Sequence, residues 1–327
     1  MKFGLVPVSE AKGAILGHSA RIAGGRIPKG TQLGAAHIAD LIDAGATEVV
    51  VARLEPGDVH EDAAAARIAE ALLGPGLLAD AAATGRVNLR AAAPGIVEVD
   101  AQAIEKVNRV NPAITVATVA EWARLEARGL AVTVKIIPFA AREDDVARAC
   151  ALGKGAVRLL GAKTRSATLI ESHVGEGKVA SEKGRASVKG RLDRLGVSLS
   201  ERVIVPHEVD ALADAICAAP GDLVLILTGS ATSDLADTAP EAVRVSGGQV
   251  LHYGMPVDPG NLLFTGRLGD KVVIGLPGCA RSPALNGADW VLERVICGIA
   301  PEDIDIPAMG VGGLLKEIPS RPRPREG

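Results

Sequence analysis

The run Asp222–Thr228, which is apolar from Leu223 to Leu227, restricts the fold of this chain more than any other feature. A strand with one wet face alternates apolar and polar residues, whereas a parallel strand buried on both faces is apolar throughout. The segment Glu208–Ala218 before the run has apolar residues at helical spacing. The segment Pro240–Ser246 after it has a proline in its first turn, a position that proline favours in helices. The pattern predicts a buried parallel strand covered by helices.

The rest of the second half repeats this alternation. We predict strands at Ala156–Ala162, Arg202–Val205, Gln249–Tyr253 and Lys271–Leu276, and helices at Lys183–Leu195 and from Pro283 to about Cys297. Because strands that are joined by helices usually pair in parallel, we expect an α/β fold with a mostly parallel sheet that is covered on both sides, a three-layer arrangement.

The first half predicts a different kind of domain. Helices are expected at Ala35–Ala44 and Val59–Leu73 with a strand at Glu48–Arg53 between them, and the remainder is rich in short β-like runs with Gly and Pro. These features fit an α+β domain. We therefore predict an accessory domain at residues 1–152, an α/β domain at 153–318 and a flexible tail at 319–327, where Pro and Arg alternate.

Composition argues against several classes of protein. The net charge is −3, whereas proteins that bind nucleic acid usually have a basic excess or a basic face. Aromatic residues make up only 2% of the chain, so few side chains could stack on bases. Both observations argue against nucleic acid as a partner. The four cysteines have no CxxC spacing, which argues against a disulfide scaffold or a structural zinc site. No apolar run approaches the roughly 18 residues of a membrane span, so we expect a cytoplasmic protein without membrane contact.

The loop that follows the buried strand is suited to holding an anion. Small residues let the backbone approach a ligand, and the free N–H groups of a helix start favour phosphate. Asp234 and Asp237 suggest a Mg²⁺ ion between carboxylate and phosphate, although solvated aspartates in an ordinary loop would look the same. The candidate ligand-binding residues in this loop are Thr228, Gly229, Ser230, Ala231, Thr232, Ser233 and Asp234.

A second loop, Gly275–Pro283, also joins a predicted strand to a predicted helix. Ser282 is expected to cap this helix, with Pro283 in its first turn and Arg281 beside the exposed amides, where it could contact a phosphate. Cys279 lacks an obvious histidine partner, so a small packed side chain is favoured over a nucleophile. The candidate ligand-binding residues here are Pro277, Gly278, Cys279, Arg281 and Ser282.

A turn lies between the two loops. Its residues Pro259 and Gly260 belong either to the ligand site or to a rigid connector, since Pro and Gly are the usual residues of turns. Both loops leave the carboxyl ends of predicted strands, which is where open α/β sheets place their ligands.

With these three loops, residues 153–300 resemble the molybdopterin-binding domain family, which includes molybdopterin adenylyltransferase and molybdenum insertase. The family's first loop reads Thr-Gly-Gly-Thr-Gly, four variable residues, Asp and a Thr-Pro-Glu-Ala-like helix start. Here Thr228-Gly229, Asp237 and Pro240–Ala242 match it without a gap. The insertase's Pro-Gly turn is matched by Pro259-Gly260, and its Gly-Leu-Pro-Gly loop by residues 275–278.

The sequence departs from this pattern at four places. Ser230–Thr232 replace Gly-Thr-Gly, Asp258 replaces the insertase's lysine, and Cys279-Ala280 replace Asn-Pro. The adenylyltransferase's Pro-Asp-Glu is Pro206-His207-Glu208 here, so one carboxylate is missing. In the first half, Pro28–Leu33 resemble an insertase segment that contains Lys-Gly-Thr.

The resemblance implies that the ligand is molybdopterin, with or without an adenylyl group, and that Asp237 is a catalytic residue or a ligand of Mg²⁺. It leaves three activities open: an insertase-like or adenylylating enzyme, a carrier that delivers the cofactor to a molybdoenzyme or a cofactor-synthesis partner, and a competence-type nucleotide pyrophosphatase. Relatives often form homo-oligomers. The basic stretch 178–194 is either a solvated helix face or brings Lys183 or Arg185 to the phosphate.

Overall fold

Residues 1–175 and 182–315 are described by the structure, which is a computed structural model. The chain separates into one unit formed by Met1–Ala93 with Val97–Leu159 and a second formed by Pro94–Ile96 with Leu160–Gly327. Residues 153–159, which the sequence placed in the second domain, group with the first because Gly74 N–H donates to the Val157 carbonyl and Leu159 N–H to the Pro75 carbonyl, both at 2.9 Å. The predicted tail, 319–327, and Lys178 lie outside the described residues.

The strands along residues 1–161 are β1 (Lys2–Pro7), β2 (Ile15–Leu16), β3 (Ala20–Ile22), β4 (Gly25–Ile27), β5 (Glu48–Arg53), β6 (Asp58–His60), β7 (Leu77–Ala79), β8 (Arg86–Ala91), β9 (Gly95–Val99), β10 (Ile114–Thr118), β11 (Arg124–Leu125), β12 (Leu130–Ile136), β13 (Ala140–Arg142) and β14 (Val157–Gly161). The helices along the same residues are α1 (Ala35–Asp43), α2 (Glu61–Leu72), α3 (Ala101–Asn108) and α4 (Glu143–Leu152).

Short sheets and helices α1–α4 make up the first unit. The strand orders are β1-β5-β2, β10-β12-β8-β7, β11-β9-β14, β13-β6 and β3-β4. Helix α2 supplies much of the larger apolar core, because Ile68 and Leu72 recur on one face and are fully buried. His60 caps this helix by accepting the Asp62 N–H at 3.3 Å, and acidic residues in the first turn favour the start.

In the second unit, the strands are β15 (Ser166–His173), β16 (Ser198–Leu199), β17 (Val203–Pro206), β18 (Leu223–Leu227), β19 (Gln249–Tyr253), β20 (Phe264–Leu268) and β21 (Lys271–Gly275). The helices are α5 (Glu182–Asp193), α6 (Val209–Ala218), α7 (Thr238–Val245) and α8 (Gly287–Ile296).

These strands form one mixed sheet in the order β16-β15-β18-β21-β20-β19, and β17 also pairs with β15. The pairs that involve β15 and the β18–β21 pair are parallel, whereas β20 is antiparallel to both of its neighbours. The α/β class is confirmed in this coarse form, and the three-layer, mostly parallel description stays a prediction. No helix among the described residues is long and apolar enough to cross a membrane.

The sequence did not predict strand β15, although it lies inside the sheet. Three of its residues, Thr168, Glu171 and Ser172, are polar yet at most 2% exposed. Glu171 is neutralised by Arg202, whose Nε lies 2.8 Å from Oε2. Polar residues therefore interrupt the apolar run that would have identified a buried strand. The partners of Glu171 and Ser172 come from other parts of the chain, and Thr168 Oγ1 has no hydrogen-bond partner among the described residues.

Helix α8 begins four residues later than the predicted Pro283. Its N-cap is Asn286, whose Oδ1 accepts the Ala288 N–H at 2.8 Å while Asp289 accepts the Asn286 N–H at 2.9 Å. The expectation that Ser282 caps this helix is therefore wrong. The carbonyls of Ser282 and Ala284, before Asn286, instead accept hydrogen bonds from the buried Arg191.

Candidate functional site

The carboxyl ends of β15, β17 and β18 meet at three residues. Gly229 N–H donates to Ser172 Oγ at 3.0 Å, and Ser172 Oγ lies 2.9 Å from His207 Nδ1. The parallel register of the three strands brings these positions together. Ser172 was not a predicted site residue, because its strand was not predicted, whereas His207 stood out as the residue that replaces an acid.

The hydrogen bonds of Ser172 indicate which ring nitrogen of His207 carries the proton. Ser172 is 2% exposed, and buried hydroxyl groups normally find an acceptor for their proton. Within the described residues that acceptor is His207 Nδ1, since Ser172 Oγ already accepts the Gly229 N–H. We infer that Nδ1 is unprotonated and that the proton of the neutral ring is on Nε2.

Gly229 is required by the close approach of its loop to β15. A Cβ at this position would lie 2.8 Å from the Ser172 carbonyl oxygen and 3.0 Å from the His173 Cα. Both are backbone atoms of a strand inside the sheet, so neither can move cheaply. The glycine of the motif therefore seats the loop against the neighbouring strand.

Asp237 organises the rest of this loop. Its Oδ2 accepts the Ser233 N–H at 2.9 Å and its Oδ1 accepts the Thr238 N–H at 2.7 Å, so it closes the loop and caps α7. Asp234 forms a smaller turn through the Ala236 N–H at 2.7 Å. The Ser233 hydrogen bond is the main cause that lowers the pKa of Asp237, against the opposing effect of burial, and the hydrogen bonds of Thr238 lower it further.

The donor set fits Mg²⁺ only in part. No group of three His, Cys, Asp or Glu side chains that could hold a metal ion is present in the described residues. Both oxygens of Asp237 accept backbone N–H groups, which reduces the lone pairs that this carboxylate can offer a metal ion. A magnesium ion here would need phosphate oxygens and water to complete its octahedron.

Replacing Asp237 with alanine is expected to lower the free energy of unfolding by about 1 kcal/mol, the usual cost of a lost N-cap. Asp237→Asn retains an acceptor and should lose less. Because folding lowers the pKa of Asp237, its carboxylate contributes stability above the ordinary aspartate range and loses it as the pH falls through the lower folded pKa. Urea unfolding should show the difference between wild type and Asp237→Asn shrinking toward acid pH, and a growing difference would contradict this role.

The loop after β21 forms a 3₁₀ turn at Gly278–Arg281, with Pro277 buried before it and Gly278 exposed. Arg281 Nη2 donates to the Thr228 carbonyl, and the Arg281 carbonyl accepts the Ser187 hydroxyl at 2.8 Å. Arg281 therefore joins the two loops that the sequence singled out. Burial raises the pKa of the Cys279 thiol, which disfavours the thiolate and agrees with a packing role.

A buried arginine anchors this second loop. Arg191 of α5 donates through Nη1 to the Ala280 carbonyl at 3.0 Å, and through Nη2 to the Ser282 and Ala284 carbonyls at 2.9 Å. Its Nε donates to Asp289, and the side chains of this ion pair are 3% and 2% exposed. The basic stretch 178–194 therefore contains a buried structural residue, which neither the solvated-face interpretation nor the phosphate-binding interpretation predicted.

The turn at Asp258–Gly260 packs against the start of α8. Gly287 N–H donates to the Pro259 carbonyl at 2.8 Å, and a Cβ on Gly260 would lie 2.8 Å from the Gly287 nitrogen. The first amides of α8 are thus used within the protein rather than left for an anion. Asn286 Nδ2 is buried, and no acceptor for it is found in the described part of the chain.

Hydrogen bonds join some of the predicted site residues to one another, whereas others bond to different parts of the second unit. Residues 228–237 and 277–282 are joined through Arg281, and Tyr253 Oη reaches the Thr232 carbonyl at 3.1 Å. Pro259 and Gly260 contact α8 and have no direct hydrogen bond to the first loop among those described. Ser230 and Ala231 are exposed, and Thr232 is buried.

Two cavities in the described residues lie away from these loops. One, of about 420 Å³, is in the first unit between Lys12 and His60. The other, of about 200 Å³, is lined by residues such as Asp222, Arg267 and Asp270, at the opposite ends of β18 and β21. The candidate site therefore does not coincide with either of these two cavities.

No family model and no curated protein matches this chain. Solved structures that it is similar to include the molybdopterin biosynthesis MoeA protein from Pyrococcus horikosii, at 13% identity over 93% of this chain and 76% of that chain with a TM-score of 0.32. Molybdenum cofactor biosynthesis protein B matches at 16% identity over 41% and 88%, with a TM-score of 0.28. The CinA protein from Thermoplasma acidophilum, whose function is given as unknown, matches at 18% over 36% and 90%, with a TM-score of 0.25. Scores this low assign no family.

Proposed function

We propose that the second unit binds a pterin phosphate, molybdopterin or its adenylylated form, at the carboxyl ends of β15, β17, β18 and β21. The observation that carries this proposal is the hydrogen bond from Arg281 to the Thr228 carbonyl. It joins the two loops whose motifs resemble the molybdopterin-binding family, and the residues that follow Thr228 in the first loop include Ser230 and Ala231, which are small and exposed. A three-layer, mostly parallel sheet would hold both loops at one edge.

In this proposal the phosphate lies against the backbone amides of residues 230–232, with Arg281 as the cation and His207 Nε2–H as an additional donor, since the Gly229 and Ser233 amides already donate to Ser172 and Asp237. Asp237 keeps the loop closed. If Mg²⁺ takes part, one remaining lone pair of Asp237 and the nearby carboxylate of Asp234 would hold it together with the ligand's phosphate oxygens. A bound ion would neutralise phosphate charge and so permit the carboxylates to lie near the ligand.

Binding without turnover is the form of the proposal that the residues favour. His207 stands where the adenylyltransferase has an aspartate, and Asp258 where the insertase has a lysine. Both oxygens of Asp237 accept backbone N–H groups, so its structural role in closing the loop does not require that it take part in catalysis. A carrier that shields the cofactor and passes it to a molybdoenzyme requires only the binding loops.

We expect Arg281→Gln to weaken the binding of adenylylated molybdopterin about 10–100-fold, because a hydrogen bond to a charged group contributes roughly 1.5–3 kcal/mol. Isothermal titration of the full chain measures this. The matched control is Arg165→Gln, an exposed arginine that precedes β15 at the other end of the sheet, and it should leave the affinity unchanged. Equal losses in both variants, or no binding by the wild type, would refute the site.

An assay of AMP release from the same complex distinguishes a carrier from an enzyme. With Mg²⁺ and molybdate present, release of AMP that Asp237→Ala abolishes would identify an insertase-like activity, whereas tight binding without AMP identifies a carrier. Turnover of free ADP-ribose would instead identify the competence-type pyrophosphatase.

A further inference from the structure

We propose that the first unit contains a separate binding site for a small organic anion, in the cavity of about 420 Å³ beside β2 and β5. The cavity is lined by residues from four segments of the chain, which are Lys12–Ile15, Gly30 with Gln32, Ala52–Leu54 and His60. Its volume falls within the range of about 300–1,000 Å³ that is usual for small-molecule sites.

The lining carries positive charge and no negative charge. Lys12, Arg53 and His60 contribute the ionisable side chains, and none of the lining residues is Asp or Glu. This is unexpected in a chain whose net charge is −3. Cations that face the same space repel one another, and an anion between them would remove that repulsion.

Two of these side chains are held in place by the backbone around them. Arg53 Nη2 donates to the Glu10 carbonyl, which leaves its other nitrogens available to the cavity. His60 Nδ1 accepts the Asp62 N–H at 3.3 Å, so the proton of the neutral ring is on Nε2, which can donate. The cavity therefore has oriented donors as well as charge, and these suit the oxygens of a phosphate or a carboxylate.

The acidic side chains of β6 and of the first turn of α2, which lie next to His60 in the chain, have partners of their own. Asp58 pairs with Arg142 at 3.3 Å, and Asp62 Oδ1 accepts the Gly85 N–H at 2.6 Å. The Glu61 carboxylate lies 4.0 Å from Lys135 Nζ. The adjoining acids of β6 and α2 therefore do not cancel the positive lining.

The floor of the cavity is apolar. Ile15 and Ala52 are 7% and 0% exposed and belong to a small core with Phe139, while Leu54 adds partly exposed apolar surface. A ligand that fills this space needs an apolar body as well as an anionic group. We therefore assign the site to compact amphipathic anions, such as an aryl phosphate or an aryl carboxylate.

The test titrates the full chain with phenyl phosphate, benzoate, inorganic phosphate and phenol, and follows the amide NMR signals of Gly13, Gly30 and Gln32. We expect phenyl phosphate or benzoate to shift these signals, with inorganic phosphate binding more weakly and phenol not at all. Which of the two aryl anions binds more tightly identifies the anionic group. Phenol binding as well as either aryl anion, or inorganic phosphate binding as tightly as phenyl phosphate, would overturn the assignment.

Three variants test the charge. Lys12→Gln and Gln32→Glu change exposed side chains and should each weaken binding at least tenfold, the second by adding a carboxylate to the lining. Arg26→Gln, an exposed arginine of β4 outside the cavity, is the control and should bind as the wild type does. Unchanged affinity in Lys12→Gln and Gln32→Glu, with native circular dichroism, would overturn the proposal, as would the absence of any shift in the wild type.

Discussion

Replacing Arg191 with methionine is expected to lower the free energy of unfolding by about 3–5 kcal/mol, the loss observed when one partner of a buried ion pair is removed. Methionine retains much of the volume but leaves the Asp289 carboxylate, which is 2% exposed, without its cation. It also removes the donor of the Ala280, Ser282 and Ala284 carbonyls. Chemical unfolding of the full chain measures the loss.

The control for this prediction is Lys189→Gln, on the same helix. Lys189 pairs with Asp193 at 2.7 Å, but their side chains are 57% and 53% exposed, so its loss should be within about 0.5 kcal/mol. Adding Asp289→Asn to Arg191→Met should recover part of the stability, because it removes the uncompensated charge while an amide oxygen can still accept the Asn286 N–H. An Arg191→Met loss as small as that of the control would contradict the anchoring role.

Gly275→Ala is the second substitution with a large expected effect. The added Cβ would lie 1.9 Å from the ring of Phe264, which faces Gly275 across the β20–β21 pair and is fully buried. The ring cannot move away without disturbing a packed core, and overpacking of this kind costs about 3 kcal/mol. Because Gly275 directly precedes the Arg281 loop, binding of the pterin phosphate should fall as well.

A glycine elsewhere in the unit provides the matched control. A Cβ on Gly190 in helix α5 meets no atom within 4 Å, so Gly190→Ala should stabilise the chain by about 0.5–1 kcal/mol. Combining Gly275→Ala with Phe264→Leu should cost less than the sum of the two single losses, because the smaller side chain makes room for the methyl group. Strictly additive losses would show that the clash with Phe264 is not the cause.

The part of the site that could be predicted from sequence is the part whose residues are neighbours in the chain. The loop 228–237 and the turn 277–282 each lie between elements whose period identifies them, so their small residues and Arg281 could be found locally. Ser172 could not be found in this way. Its strand carries Thr168 and Glu171, and a buried strand with polar residues lacks the apolar run on which the prediction depends.

The sequence alone determined the local elements. Strand β5 and strand β19 have the predicted bounds, and helices α2, α6 and α7 lie within two residues of theirs at each end, because side-chain period and capping act over a few residues. The start of α8 at Asn286 also rests on a local signal, because its capping box joins Asn286 to Asp289 three residues later. Only the tertiary structure decided that Arg191 is a buried anchor rather than a surface charge. Its partners, such as the Ala280 and Ser282 carbonyls, lie about 90 residues away in the chain, and no local pattern contains that information.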